Sequence, residues 1–430
     1  MQRTQDSRES GDSPAVRLEG NPKSIGQVWG GINRAAIAHD METFFLKPAR
    51  QAGISNETLR RQADAFSTIA CRVAPHWLTE AEAIAATAGV DTGLYLAFAA
   101  GVYRNLFLHP ECTSYAVSRD LTRDGAIFFH KNRDNVEKDQ SAFVLRSSQP
   151  GVNGFIAVSD ASVIACMMMV NDKGLAGSAD YPGGICPEPA PAVYRGAMNP
   201  FLLRHIAERA AICGDALAII REFVARGDYA GGDVNDTHWL FVDRTGSILE
   251  VSNNARHVVS REHSQGVYFS RLDDSPAAQS LRHADQPLDF EQFHRVSRDP
   301  SICQRSSIAG MSVEIDSCHP EWSTCAWVSL PAASVAFPLL MGQRRTPLCL
   351  LNGEVYRLGR SGEPAPHLWE TIESAVHSSQ DLIRGQVPAC GQGGGLANST
   401  NSADRWSLAQ ARMLTAVLRN EQRRCPQADM

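Results

Sequence analysis

The run "HPECTSYAVSRDLTRDGAIFFHKNRDN", residues 109–135, changes its period twice. His109-Pro110 ends a helical stretch, because proline lacks an N–H and pushes the residue before it out of the helical region. Thr113 to Arg119 then alternates, Thr122-Arg123-Asp124-Gly125 reads as a turn, and Ala126 to His130 reads as a second strand. Together they predict a β-hairpin. Strand pairing returns residues 130–134 to the neighbourhood of 112–114. A cysteine, Cys112, therefore stands at the head of the hairpin, beside Lys131-Asn132-Arg133-Asp134.

Upstream, residues 25–108 read as helices. Thr79 and Glu82 have capping-box spacing, and Gly89 suits the helix end. Asp91 suits the cap of a helix that carries Leu94, Tyr95, Phe98, Val102 and Leu106 at helical spacing, a stripe read as core. Downstream, strands are expected at 142–147, 154–159 and 163–170. Helices follow over 199–226, with Asn199 as cap and Pro200 in the first turn. A second hairpin, Trp239 to Val242 and Ser247 to Val251, surrounds Arg244-Thr245-Gly246, and strands follow at 266–271 and 322–330. Helices are expected near 367–384 and 405–422. Between them, residues 390–402, CGQGGGLANSTNS, lack the Lys-Ser/Thr of a phosphate-binding loop and read as a flexible connector. Blocks of strands between blocks of helices predict an α+β fold, with sheets stacked in the middle and helices outside.

The 430 residues are 43% hydrophobic and 20% charged, with a formal net charge of −6. That balance gives no footprint for nucleic acid or an acidic membrane, and no apolar run reaches the length of a membrane span. Residues 1–24 are polar without an apolar signal core, so a disordered tail and a cytoplasmic location are expected. The eleven cysteines are odd in number, scattered, and without a C-x-x-C pair. This argues against a disulfide framework and against a structural zinc site; no metal is expected.

A thiol is a nucleophile only as thiolate, so a base must take its proton. Histidine is the usual base, but no local pattern ties one to Cys112. A chain cut just before the cysteine supplies another, since the new α-amine lies on the same residue. Its pKa of about 7.7–8.0 suits proton transfer near neutrality. A carboxylate such as Asp134 could orient that amine.

Cys112-Thr113-Ser114 followed by Lys131-Asn132-Arg133-Asp134 resembles the start of the mature catalytic chain in cysteine N-terminal-nucleophile (Ntn) hydrolases. The nearest likeness is to the isopenicillin-N acyltransferase (acyl-coenzyme A:aminopenicillanate acyltransferase) and linear-amide hydrolase family. Val170-Asn171-Asp172-Lys173-Gly174-Leu175-Ala176 resembles its Asn-Glu-Lys-Gly-Leu motif. Leu240-Phe241-Val242-Asp243-Arg244-Thr245-Gly246 with Leu249-Glu250 resembles its Asp/Gly hairpin. The resemblance covers roughly residues 25–290. It implies a four-layer αββα sandwich, with 25–111 as the leading segment of a precursor and 112–430 as the catalytic domain with a mixed C-terminal extension. It implies self-cleavage between Glu111 and Cys112, Cys112 as nucleophile, Asp134 holding the α-amine and Lys131 beside the thiol. Asn171 would offer a backbone N–H to the oxyanion, a turn asparagine being the other reading of that residue. Ser270 stands where relatives carry an oxyanion asparagine, with Arg271 or Asn253 as substitutes, and Arg282 is a candidate for substrate binding.

The activity so implied is amide hydrolysis or acyl transfer through a thioester. It needs no cofactor, acyl-coenzyme A entering only as a substrate. The partner is a small-molecule amide or acyl donor rather than nucleic acid or membrane, and a homo-oligomer is compatible with it. Glu111, bulky where relatives often have glycine, motivates an alternative: an uncleaved, non-catalytic binding protein of the same fold. His130-Lys131-Asn132-Arg133-Asp134 motivates another, a secernin-like cysteine dipeptidase.

Overall fold

The computed structural model describes residues 14–101, 112–123, 125–180, 190, 193, 195–231, 237–285, 287–361, 366–385 and 396–424. Strands β1 (Ala15–Val16) and β2 (Leu18–Gly20) open the described chain. Six helices follow: α1 (Pro22–Ile32), α2 (Arg34–Met41), α3 (Lys47–Gln51), α4 (Asn56–Val73), α5 (His76–Ala88) and α6 (Thr92–Ala100). Six strands come next: β3 (Thr113–Val117), β4 (Ile127–Asp134), β5 (Gln140–Ser147), β6 (Phe155–Asp160), β7 (Met168–Asn171) and β8 (Leu175–Asp180). Helices α7 (Asn199–Arg209) and α8 (Cys213–Ala225) precede β9 (Thr237–Asp243), β10 (Ile248–Asn253), β11 (Val258–His263) and β12 (Val267–Phe269). Then come α9 (Pro276–Arg282), α10 (Phe290–Val296), β13 (Ser307–Ile315), α11 (Pro320–Ser323), β14 (Cys325–Ser329), β15 (Ala336–Leu340) and β16 (Thr346–Pro347). Helices α12 (Leu348–Leu351), α13 (Glu354–Ser361), α14 (Pro366–Arg384) and α15 (Leu396–Arg424) end the described chain.

The strands form an eight-stranded sheet, β11-β10-β9-β8-β7-β6-β5-β2, and a six-stranded sheet, β12-β3-β4-β13-β14-β15. Every pairing in them is antiparallel except β2 with β5. Alternation along each strand gives both sheets two apolar faces, so each must be covered twice. Phe129, Met311 and Val328 of the small sheet meet Val144, Ile156 and Leu240 of the large one in a shared core. Helices α1 to α8 cover the outer face of the large sheet, where Trp29, Phe98 and Leu202 pack with Phe143 and Trp239. Helices α9, α10, α14 and α15 cover the outer face of the small sheet, with Phe290 and Trp406 against Phe128 and Trp327. The architecture is a four-layer α/β/β/α sandwich of the α+β class.

Several sequence expectations shift. Within the expected tail, Ala15–Val16 and Leu18–Gly20 are strands, because β1 pairs with β16 and β2 adds to the edge of β5, and α1 begins at Pro22. Thr79 is not a cap: α5 already starts at His76, behind Pro75 with its φ of −59°. Gly89 does end that helix in the left-handed region, and Asp91 does accept from Leu94 N–H. The cap of α7 is Met198. Asn199 instead hydrogen-bonds Tyr229 and Thr237. Of the glycine-rich connector, Leu396 to Asn401 and beyond lie in α15. Val102, Leu106, Glu111 and Asp124 lie outside the described residues.

Candidate active site

β3 and β4 pair antiparallel with Thr113 opposite Asn132 and Ser114 opposite Lys131. This register is what brings Cys112 beside the end of β4. The backbone of Asp134 adjoins the Cys112 thiol. The thiol is 4% exposed. Burial pushes its pKa up, the positive charge of Lys131 acts against that shift, and Asp180 and Asp134 add to it. The Asp134 carboxylate accepts from Ser307 Oγ across the junction with β13.

Alternation sends Ser114 and Lys131 into the space between the sheets, where they meet β8. Lys131 Nζ lies 3.2 Å from Asp180 Oδ1 and donates to the carbonyls of Met167, at 3.1 Å, and Ala179. An ammonium has three N–H bonds, and three acceptors take them. Lys131 therefore acts on the thiol through its charge. Asp180, fully buried, accepts from Ser114 Oγ at 3.0 Å and from Ser270 Oγ at 2.7 Å. Ser178 completes the cluster, its Oγ 2.7 Å from that of Ser114.

Ser270 sits just past β12, brought in by the pairing of β12 with β3. Its Oγ accepts from Ser114 N–H at 2.9 Å, and its single proton goes to Asp180. A hydroxyl has one hydrogen to give. Ser270 thus buttresses the first residues of β3 and, in this arrangement, has no proton left for an oxyanion.

Asn171 lies on the β7–β8 hairpin. Met168 pairs with Ser178, so Asn171 lies at the far end of the β7–β8 hairpin from Asp180. Its Oδ1 accepts from Lys173 N–H and Leu175 N–H, and its Nδ2 donates to Ala207 O and Ala210 O. It closes the Asn-Asp-Lys-Gly turn and holds the end of α7, which is its turn reading. Gly174 has φ +78°, and a Cβ there would stand 2.9 Å from Pro320 Cβ. Arg282 is likewise elsewhere: it pairs with Asp273 and reaches Val267 O, at the other end of β12 from Ser270. Asn253 accepts from Trp239 Nε1 at 2.6 Å and donates to Asn254 O. Arg271 follows Ser270 and is half-buried.

The Asp/Gly hairpin also proves to be a scaffold. Asp243 accepts from Thr245 N–H and from Cys213 N–H at the start of α8. Glu250 accepts from His238 Nε2 at 3.0 Å and stands near His263, which holds its carboxyl at about 2 despite burial. Sequence reading missed Asp180, which joins Lys131, Ser114 and Ser270. Its signal was weak: a lone aspartate five residues beyond Leu175, on a strand whose partner across the inter-sheet space is not legible from local pattern.

The eight described cysteines are free thiols. Among the described residues no group of three or more His, Cys, Asp or Glu is placed to hold a metal ion, and no helix is long and apolar enough to cross a membrane.

No family model matches the sequence, and no curated protein matches it. Among solved structures the chain is similar to a penicillin V acylase from Agrobacterium tumefaciens, with 14% identity over 54% of this chain and 86% of that one, at a TM-score of 0.38. It is also similar to the N-acylethanolamine-hydrolyzing acid amidase ortholog of Caenorhabditis elegans, with 12% identity, 47% and 92% coverage and a TM-score of 0.34. A conjugated bile acid hydrolase from Clostridium perfringens gives 11% identity, 54% and 92% coverage and a TM-score of 0.32.

Proposed function

We propose that the chain is an amidohydrolase or acyltransferase of the N-terminal-cysteine type, activated by cleavage between Glu111 and Cys112. The observation that carries the reading is the position of the Cys112 sulfur. It sits at the head of β3, beside the backbone of Asp134 and the Lys131 charge. In self-cleavage the thiol attacks the Glu111 carbonyl carbon, the C–N bond to Cys112 breaks, and a thioester forms. Water then breaks that C–S bond, leaving a carboxylate on Glu111 and a free α-amine on Cys112.

In the uncut chain burial keeps the thiol protonated. The freed amine, with a pKa of about 7.7–8.0, adds a base on the same residue. Lys131 favours the thiolate by charge. In turnover the thiolate attacks the amide carbon of a linear substrate, the α-ammonium returns a proton to the departing amine, and a thioester remains at Cys112. Water or an amine then takes the acyl group. Asp134, whose carboxylate lies at the same strand end, is the candidate to orient the ammonium.

The test is intact-mass measurement with N-terminal sequencing of purified protein, followed by a thiol-directed acyl probe. Chains 1–111 and 112–430 are expected, with labelling at Cys112. Cys112→Ala should abolish both. A single 430-residue chain that resists the probe sinks the proposal. The burial of Cys112 favours a second reading, an uncut binding protein, for which Cys112→Ala would leave ligand binding unchanged.

A further inference from the structure

The pairing of β4 with β13 breaks at the end that carries Asp134. Gly310 stands opposite Asn132 and Ala309 opposite Arg133, but Asp134 is met by Ser307, with the register shifted between Ser307 and Ala309. An unbroken ladder would set Ile308 there, an apolar side chain against a carboxylate. The β-bulge instead sends Ile308 and Ala309 together into the core between the sheets, where both are fully buried. A bulge re-aims the neighbouring side chain at the expense of a ladder pairing. Here it exchanges an isoleucine for a hydroxyl beside Asp134.

Ser307 is itself held in place. Its N–H donates to Gln304 O at 2.9 Å, and its carbonyl accepts from Ala332 N–H at 3.0 Å. Gln304 N–H donates to Ser307 Oγ at 2.9 Å. The hydroxyl has one proton of its own, and it goes to Asp134 Oδ1, since a carboxylate can only accept. Just past the bulge, Asn135 N–H donates to Ser306 O at 3.0 Å, which ties the end of β4 to the same segment. Ser307 is 1% exposed and Asp134 8%, so little water competes for the bond between them. A hydrogen bond at one carboxylate oxygen limits rotation of the group and thereby sets where the other oxygen points.

We propose that Ser307 is a positioning residue for the chemistry at Cys112: it fixes Asp134 so that the carboxylate meets the α-ammonium released by cleavage. The inference rests on the reading of Cys112 as a nucleophile with a free α-amine, and Ser307 acts through Asp134.

The test measures the acylation of Cys112 in full-length protein, after its own processing, by p-nitrophenyl acetate. The thiolate attacks the ester carbon, its proton having passed to the α-amine; the C–O bond breaks and p-nitrophenolate leaves, with the Cys112→Ala rate subtracted as background. Ser307→Ala should still yield chains 1–111 and 112–430, because the amine that Asp134 holds does not exist before cleavage. Its acylation should be slower than wild type by about tenfold, the loss of one charge-assisted hydrogen bond. Ser307→Thr keeps the hydroxyl and should restore most of the rate. In an Asp134→Asn background, Ser307→Ala should change the rate by less than about twofold, since the two residues act as a unit. Wild-type acylation by Ser307→Ala, a loss that Ser307→Thr does not restore, an undiminished loss in the Asp134→Asn background, or a Ser307→Ala chain that stays uncut overturns the proposal while the reading of Cys112 stands. A wild-type chain that stays uncut removes that reading, and this inference with it.

Discussion

Two of the buried charge clusters in this molecule differ in what they leave open. In the first, between the leading helices and α7, Arg204 donates to Glu80 at 2.5 and 3.0 Å, to Glu208 at 2.9 Å and to Ile164 O. His76 and Trp77 also donate to Glu208. Glu208, with three donor residues, is held at about 2, whereas burial wins at Glu80, whose only side-chain donor among the described residues is Arg204, and its pKa is raised. In the second cluster Lys131, Asp180, Ser114 and Ser270 are equally saturated, but they surround a sulfur whose pKa burial has pushed up. Saturation around nothing reactive makes a clamp; saturation around a thiol makes a holder.

The comparison can be broken from either side. Arg204→Met should leave two carboxylates buried without their cation and cost about 3–5 kcal/mol in urea unfolding. A loss below about 1 kcal/mol would mean the clamp is not what fastens the leading helices. Asp180→Asn strips Lys131 of its counter-ion while keeping the shape, for a loss of about 1–3 kcal/mol, read in the same urea experiment. Slower acyl-probe labelling of Cys112 should accompany it; an unaltered labelling rate would detach Asp180 from the holder. Lys131→Met has the smallest expected effect. Lys131 lowers the Cys112 pKa against burial. Its removal should raise the pH midpoint of Cys112 alkylation. A midpoint that stays put or falls would show that its charge is not felt at the sulfur.

Much of the fold was legible. The hairpin at Cys112 announced itself through a helix stop, alternation and a turn. The αββα order followed from blocks of strands between blocks of helices. Asp91 and Gly89 declared helix ends by local chemistry that acts within a turn. Thr79 misled because the helix already begins at His76, behind Pro75. Ser270 lies in the Asp180 cluster and gives its one proton to Asp180.

What the sequence determined by itself is the short-range physics: where strands and helices begin, which faces are apolar, and that Cys112 returns to Asp134. What only the tertiary structure decided is which buried groups meet across the two sheets. Asp180 lies far from Lys131 and Ser270 along the chain, and His294 of α10 meets His130 of β4 through Ser312 of β13. Hydrogen bonds have directions and limited numbers of protons, so a side chain's role is fixed by partners that packing, not spacing, brings to it.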